Sequence, residues 1–145
     1  MMGFFDNKTV TLFNRSFDPV TEEEKYYPTL LENVDLVETK GANVSKSGMD
    51  SADAATLYVD FNVIDKIEKQ YIEPKAWESL AGDEKKAHIT FTSGEDFFVK
   101  GDHMDVVLPE DGAYEWMHNH YNGVYRVSNV DKYEDVLPHF EVGGV

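Results

Sequence analysis

The chain contains no cysteine, which excludes disulfide-stapled scaffolds, thiolate nucleophiles and sulfur-rich zinc sites. It is also poor in bases, with 13 Lys and Arg against 28 Asp and Glu and a formal charge of -15. A chain so charged lacks the basic stripe that displaces counterions from nucleic-acid phosphates. No apolar run approaches the ~20 residues that span a bilayer, so no membrane partner is expected. The opening Met-Met-Gly-Phe-Phe-Asp-Asn-Lys lacks the basic and apolar regions of a signal peptide, so a soluble protein made in a cytoplasm is expected. Gly-x-Ser-x-Gly, a Walker loop and a dinucleotide fingerprint are all missing, and Lys46-Ser47-Gly48 has no phosphate-loop glycines before it.

What is present suits one domain over residues 1–145. The hydrophobic fraction is 41%, with 9 Phe and 8 Tyr. Area scaling lets a chain of this size bury about two-thirds of its surface, so a core without staples is feasible. In Thr9-Val10-Thr11-Leu12-Phe13 the alternation puts Val10 and Leu12 on one face and Thr9, Thr11 and Phe13 on the other. Residues 15–25 read as an exposed hairpin connection. Tyr26 to Leu31 and Val34 to Glu38 read as strand pieces broken near Glu32-Asn33. Residues 40–53 are small, polar and Gly-rich, a length of loop that is usually functional or disordered.

Ala55 to Asn62 resumes a strand, and the charged residues 63–70 fit a helical turn or a hairpin tip. Pro74 to Gly82 carries helix punctuation, with Trp77 and Leu80 placed to pin a short helix to a sheet. His88–Thr92 and Asp96–Lys100 around Ser93-Gly94-Glu95 read as a second hairpin. Residues 111–121 fit a helix with Tyr114, Met117 and Tyr121 on one face. Val124–Val130 and His139–Val142 read as strands. The sum is mainly β: a small antiparallel barrel or sandwich with two short helices and long loops.

Chemistry-bearing constellations are sparse. His118 and His120 form the only His-x-His; on a helix their rings point about 200° apart and cannot share a metal, whereas on a strand they could. Asp102, Asp105, Glu110 and Asp111 crowd in sequence, but catalytic carboxylates need a defined separation and split pKa values that proximity does not supply. Phe97, Phe98, Tyr114, Trp116, Tyr121 and Tyr125 fit a core better than a ligand platform. No catalytic residue, metal or cofactor is expected, and nothing points to an enzyme.

Several stretches, taken together, are similar to a known group. Thr-Val-Thr-Leu-Phe-Asn-Arg, Glu-Glu-Lys-Tyr-Tyr-Pro-Thr-Leu-Leu-Glu-Asn-Val, Lys-Gly-Ala-Asn-Val-Ser-Lys-Ser-Gly, Phe-Phe-Val-Lys-Gly-Asp and Pro-His-Phe-Glu-Val-Gly-Gly resemble the neck proteins of tailed bacteriophages. The resemblance is to the head-closure or minor capsid group of siphophages and prophages of clostridia-like Gram-positive hosts, and runs from about residue 8 to 144. It implies a small β-barrel acting as a homo-oligomeric ring, 12-fold or 6-fold, in the virion neck. The implied neighbours are portal or adaptor proteins on one side and tail-completion or tail-tube proteins on the other, with double-stranded DNA only as passing cargo.

The resemblance also implies a loop between early strands that projects into the channel as a stopper; the matching residues are Gly41, Asn43, Ser45, Lys46, Ser47, Gly48, Met49 and Asp50. An acidic bore would repel DNA phosphates and favour sliding. Its candidates, equally interface candidates, are Glu22, Glu23 and Glu24 or the group containing Asp102 and Asp105. Phe140, Val142, Gly143 and Gly144 either close the barrel internally or form an inter-subunit strand. A tail-completion protein and a soluble ligand- or glycan-binding barrel are the alternative readings.

Overall fold

A computed structural model describes residues 7–39 and 54–145. Six antiparallel strands close into a barrel: β1 (Lys8–Asp18), β2 (Glu23–Glu38), β3 (Ala55–Asp60), β6 (Phe97–Lys100), β7 (Val124–Tyr133) and β8 (His139–Gly144). Their order around the barrel is β1-β2-β3-β8-β7-β6, with β6 returning to β1. Outside it, β4 (Gln70–Tyr71) and β5 (His88–Ile89) form a two-residue parallel pair. The helices are α1 (Phe61–Lys66), α2 (Pro74–Ser79), α3 (Gly82–Lys85) and α4 (Ala113–His120).

The expected barrel is therefore found, with four short helices where two were expected. α1 realises the helical-turn alternative for the 63–70 stretch, starting two residues earlier, whereas α3 escaped the sequence reading because it is a single turn with weak end signals. Asp60 precedes α1 without a side-chain cap, and Gly82, which reads as a helix stop, opens α3. α2 follows its punctuation. Its Trp77 is buried and donates from Nε1 to the Arg15 carbonyl at 2.9 Å, while Leu80 is half-buried.

The period-2 pattern of β1 is realised on both faces. Val10 and Leu12 point into the barrel with Leu31, Leu57, Phe98, Phe140 and Val142. Thr11 and Phe13 face outward yet are also buried, because the outer face is covered. A second core forms there from Phe13, Phe97, Val99, Met117 and Val124, with Tyr114 and Trp116 of α4 and Val106 and Leu108 packed against it. β6 alternates likewise, Phe98 inward and Phe97 and Val99 outward. A strand buried on both faces has no polar side to show, which is why Phe-Phe-Val runs unbroken.

The expected break at Glu32-Asn33 is a bulge within one continuous strand. Lys8 pairs with Val34 and Thr9 with Glu32, so Asn33 is the extra residue, held at φ 62°. The second hairpin does not form: β5 pairs in parallel with β4, and β6 pairs with β1 and β7. The Ser93-Gly94-Glu95 turn is real, but it redirects the chain instead of joining two paired strands.

β8 is the closing strand. Its residues pair with β3 on one side and with β7 on the other, so of the two readings for Phe140, Val142, Gly143 and Gly144 the structure shows internal closure of the barrel. With both edges taken inside the chain, that strand has no edge to lend a neighbour. Gly144 sits where only a glycine fits: a Cβ there would lie 2.7 Å from Tyr125 Cβ and 2.9 Å from Phe98 Cζ. Gly144→Ala is expected to cost about 1–3 kcal/mol by overpacking. Differential scanning calorimetry should read this as a melting temperature lower by roughly 3–10 °C.

Candidate functional site

β1 pairs with β6 only from Val10 to Phe13, while its pairing with β2 continues to Asp18 and Glu23. The far half of the β1–β2 hairpin thus runs past β6 as an arm. Its turn is set locally. Asp18 Oδ1 accepts the Val20 N–H at 2.9 Å and the Thr21 N–H at 3.4 Å, and the Glu22 N–H donates to the Asp18 carbonyl at 2.7 Å with Glu22 at φ 61°. Those backbone N–H groups hold the exposed Asp18 carboxyl below its ordinary value.

The arm is fastened by a buried carboxylate absent from the sequence-derived candidates. Asp96 Oδ1 accepts the Arg15 N–H at 2.8 Å; Oδ2 accepts the Thr92 N–H at 2.7 Å and Asn14 Nδ2 at 2.9 Å. Asn14 Nδ2 also donates to the Thr90 carbonyl at 2.6 Å. Burial pushes the Asp96 carboxyl up to about 7, against the downward pull of its N–H donors. Nearby, Arg15 pairs with Glu24 at 2.7 Å and with Glu95, and lies over the Phe17 ring.

Between the arm and residues 106–111 runs a groove of about 690 Å³. Phe13, Tyr26, Val106, Leu108 and Pro109 give it an apolar base, and Glu22, Glu23, Glu24, Glu110 and Asp111 surround it, with Lys25 the one cation among the described residues that line it. Beneath it Phe13 stacks on Phe97 at 4.7 Å and Tyr26 meets Phe97 edge-on at 5.1 Å. Burial, helped by the Glu24 charge, raises the Tyr26 phenol to about 12, so it stays neutral across the working range. The wall formed by residues 106–111 turns into α4 at Gly112, whose φ of 68° suits glycine.

The two acidic groups named from the sequence are thus regrouped. Glu22, Glu23 and Glu24 converge with Glu110 and Asp111 on one groove, whereas Asp102 and Asp105 are not in its lining. Asp102 instead accepts the Met104 N–H at 3.0 Å, next to Gly101, whose N–H donates to the Thr9 carbonyl. By register, that region shares a barrel end with Thr39 and Ala54, opposite the arm. The candidate stopper residues Gly41, Asn43, Ser45, Lys46, Ser47, Gly48, Met49 and Asp50 lie outside the described residues. Their flanks are adjacent: Thr39 N–H donates to the Ala54 carbonyl at 2.8 Å.

The histidines have separate surroundings. His120 stacks on Trp116 at 4.2 Å and His118 lies 5.9 Å from Tyr114, both on α4 as the helical reading requires. Among the described residues no group of three or more His, Asp or Glu is placed to hold a metal ion. Tyr114, Phe97, Phe98 and Tyr125 pack in or against the cores. The groove offers carboxylates and apolar surface, a combination that receives cationic side chains through charge and stem contact.

Residues 5–145 match the family described as "Family of unknown function (DUF6751)", and the chain belongs to it. No curated protein and no solved structure matches.

Proposed function

We propose that this member of the family is a neck subunit of a tailed bacteriophage, of the head-closure type, working as a homo-oligomeric ring between portal or adaptor and tail. The observation that carries the reading is the layout of the barrel. A closed six-stranded barrel carries a 40–53 insertion between β2 and β3, anchored by adjacent residues at one end, as the resemblance implies. Asp102 follows Gly101 at that end, and Asp105 lies three residues further on. In this reading they face the bore beside the stopper, where negative charge keeps DNA sliding, and the arm points away toward a neighbour. A tail-completion protein is the nearest alternative. A ligand-binding barrel is favoured by one feature, a pocket of about 240 Å³ lined by Phe61, Tyr71 and Phe140 with Lys69 and Lys132 at its side.

Immunogold electron microscopy of particles from the source culture, with mass spectrometry of their protein content, tests the reading. Label is expected at the junction of head and tail. Label along the tail or at its far end would move the assignment to a tail protein. Absence from purified particles would overturn both virion readings and leave the pocket to be screened.

A further inference from the structure

The groove beside the arm is concave and apolar at its base, and four of the five carboxylates around it have no ion pair among the described residues: Glu22, Glu23, Glu110 and Asp111. Only Glu24 is engaged, by Arg15. Val107, between the lining residues Val106 and Leu108, is itself 85% exposed. We propose that this groove docks an extended segment of a partner protein bearing Lys or Arg side chains. Their aliphatic stems would lie on Tyr26, Val106 and Leu108, and their heads would enter the carboxylate rim.

Charge and shape choose this occupant over others. A nucleic acid or an acidic peptide would meet the rim with like charge. A second copy of the chain offers 13 Lys and Arg against 28 Asp and Glu, a poorer source of a basic segment than a partner rich in Lys or Arg. A single metal ion does not fill about 690 Å³, and no ligand cluster is assembled there among the described residues. The protein already uses the same arrangement internally. Arg126 lies over the Tyr114 ring at 4.1 Å with Glu115 at 3.7 Å, and Arg15 lies over Phe17 with Glu24 and Glu95 as partners. The assignment does not depend on the neck reading.

The test is titration of the full chain with the capped peptide Lys-Leu-Lys-Leu-Lys, followed by calorimetry and by amide chemical shifts, beside its Glu-Leu-Glu-Leu-Glu counterpart. Shifts are expected at Tyr26, Val106 and Leu108, with no binding of the acidic peptide. The triple variant Glu22→Gln, Glu23→Gln, Glu110→Gln should weaken binding roughly tenfold or more, and a distant triple, Glu68→Gln, Asp131→Asn, Asp135→Asn, less than about twofold. Equal weakening in both triples would reduce the effect to net charge and overturn the proposal. So would shifts centred elsewhere, or no binding at low salt. Concentration-dependent dimers that vanish in the groove triple would assign the groove to a second copy instead.

Discussion

Asp96→Ala is expected to lower stability by about 3–5 kcal/mol, from the loss of an acceptor by several buried donors at once. The Arg15 and Thr92 N–H groups would both lose it, and Asn14 would keep only the Thr90 carbonyl. Asp96 is fully buried, out of contact with bulk solvent. Against the 5–15 kcal/mol typical of a domain, roughly, this is a large fraction. Urea unfolding should show a midpoint lower by about 2 M for an m-value of about 2 kcal/mol/M. Asp96→Asn is the sharper variant, because it keeps shape but turns an amide N–H toward the Thr92 and Asn14 donors or leaves Arg15 facing one.

The same residue sets a pH dependence of defined sign. Its folded value, about 7, lies above the 3.8 of an unperturbed Asp, so between about pH 4 and pH 7 the native state binds the extra proton. Stability from this group therefore declines as pH rises through that window, the reverse of a salt-bridged carboxylate. The gap in unfolding free energy between the native chain and Asp96→Asn should be widest near pH 4, narrow as pH rises through the window, and level off by about pH 8. A gap that widens with rising pH would show that the N–H donors outweigh burial.

Phe97→Ala is the second large effect, about 3–5 kcal/mol, because it empties the centre of the outer core. Phe97 is fully buried and touches Phe13, Tyr26 and Tyr114 at once. The barrel interior is packed by Phe98 and Phe140 on the opposite face, so the damage should be uneven. Hydrogen exchange read by mass spectrometry should accelerate in residues 113–120 and near Tyr26 well before it does in β3 and β8. Uniform acceleration would mean that the two cores unfold as one unit. Phe97→Leu, which keeps much of the volume, should cost less than half as much.

The strands were legible in the sequence because their alternation has a local cause. Val10, Leu12, Leu57 and Val59 repeat at period 2 and all face the barrel interior. What stayed hidden is non-local. That Phe13 is buried depends on α4, and Thr11 is bonded to Gly101 and His103, all about ninety to a hundred residues away in the chain. The misread β5–β6 hairpin has the same origin: Asp96, placed after a Gly turn, spends its carboxylate on Asn14 and Arg15 across the fold as well as on the nearby Thr92. Of the site, the acidic residues were visible as types. Their convergence was not, since Glu22–Glu24 and Glu110–Asp111 meet only because residues 106–111 cross the outer face. Asp96 itself carried one faint signal, an acid next to two Phe in a run that is otherwise core.

Closing the barrel joins Val10 to Lys100 and Ala55 to Gly144, so both seams wait on distant parts of the chain. Loop closure over such spans is slow, and folding in about milliseconds to seconds is expected of this topology. On the ribosome the β1–β2 hairpin emerges early with Leu12, Leu31 and Leu36 unsheltered, and the ring of hydrogen bonds cannot close until residue 144 has left the exit tunnel. Each newly made copy thus passes through an interval with two open strand edges and a bare apolar interior. In that interval the excess of negative charge has a second use, holding unfinished chains apart until the last strand arrives.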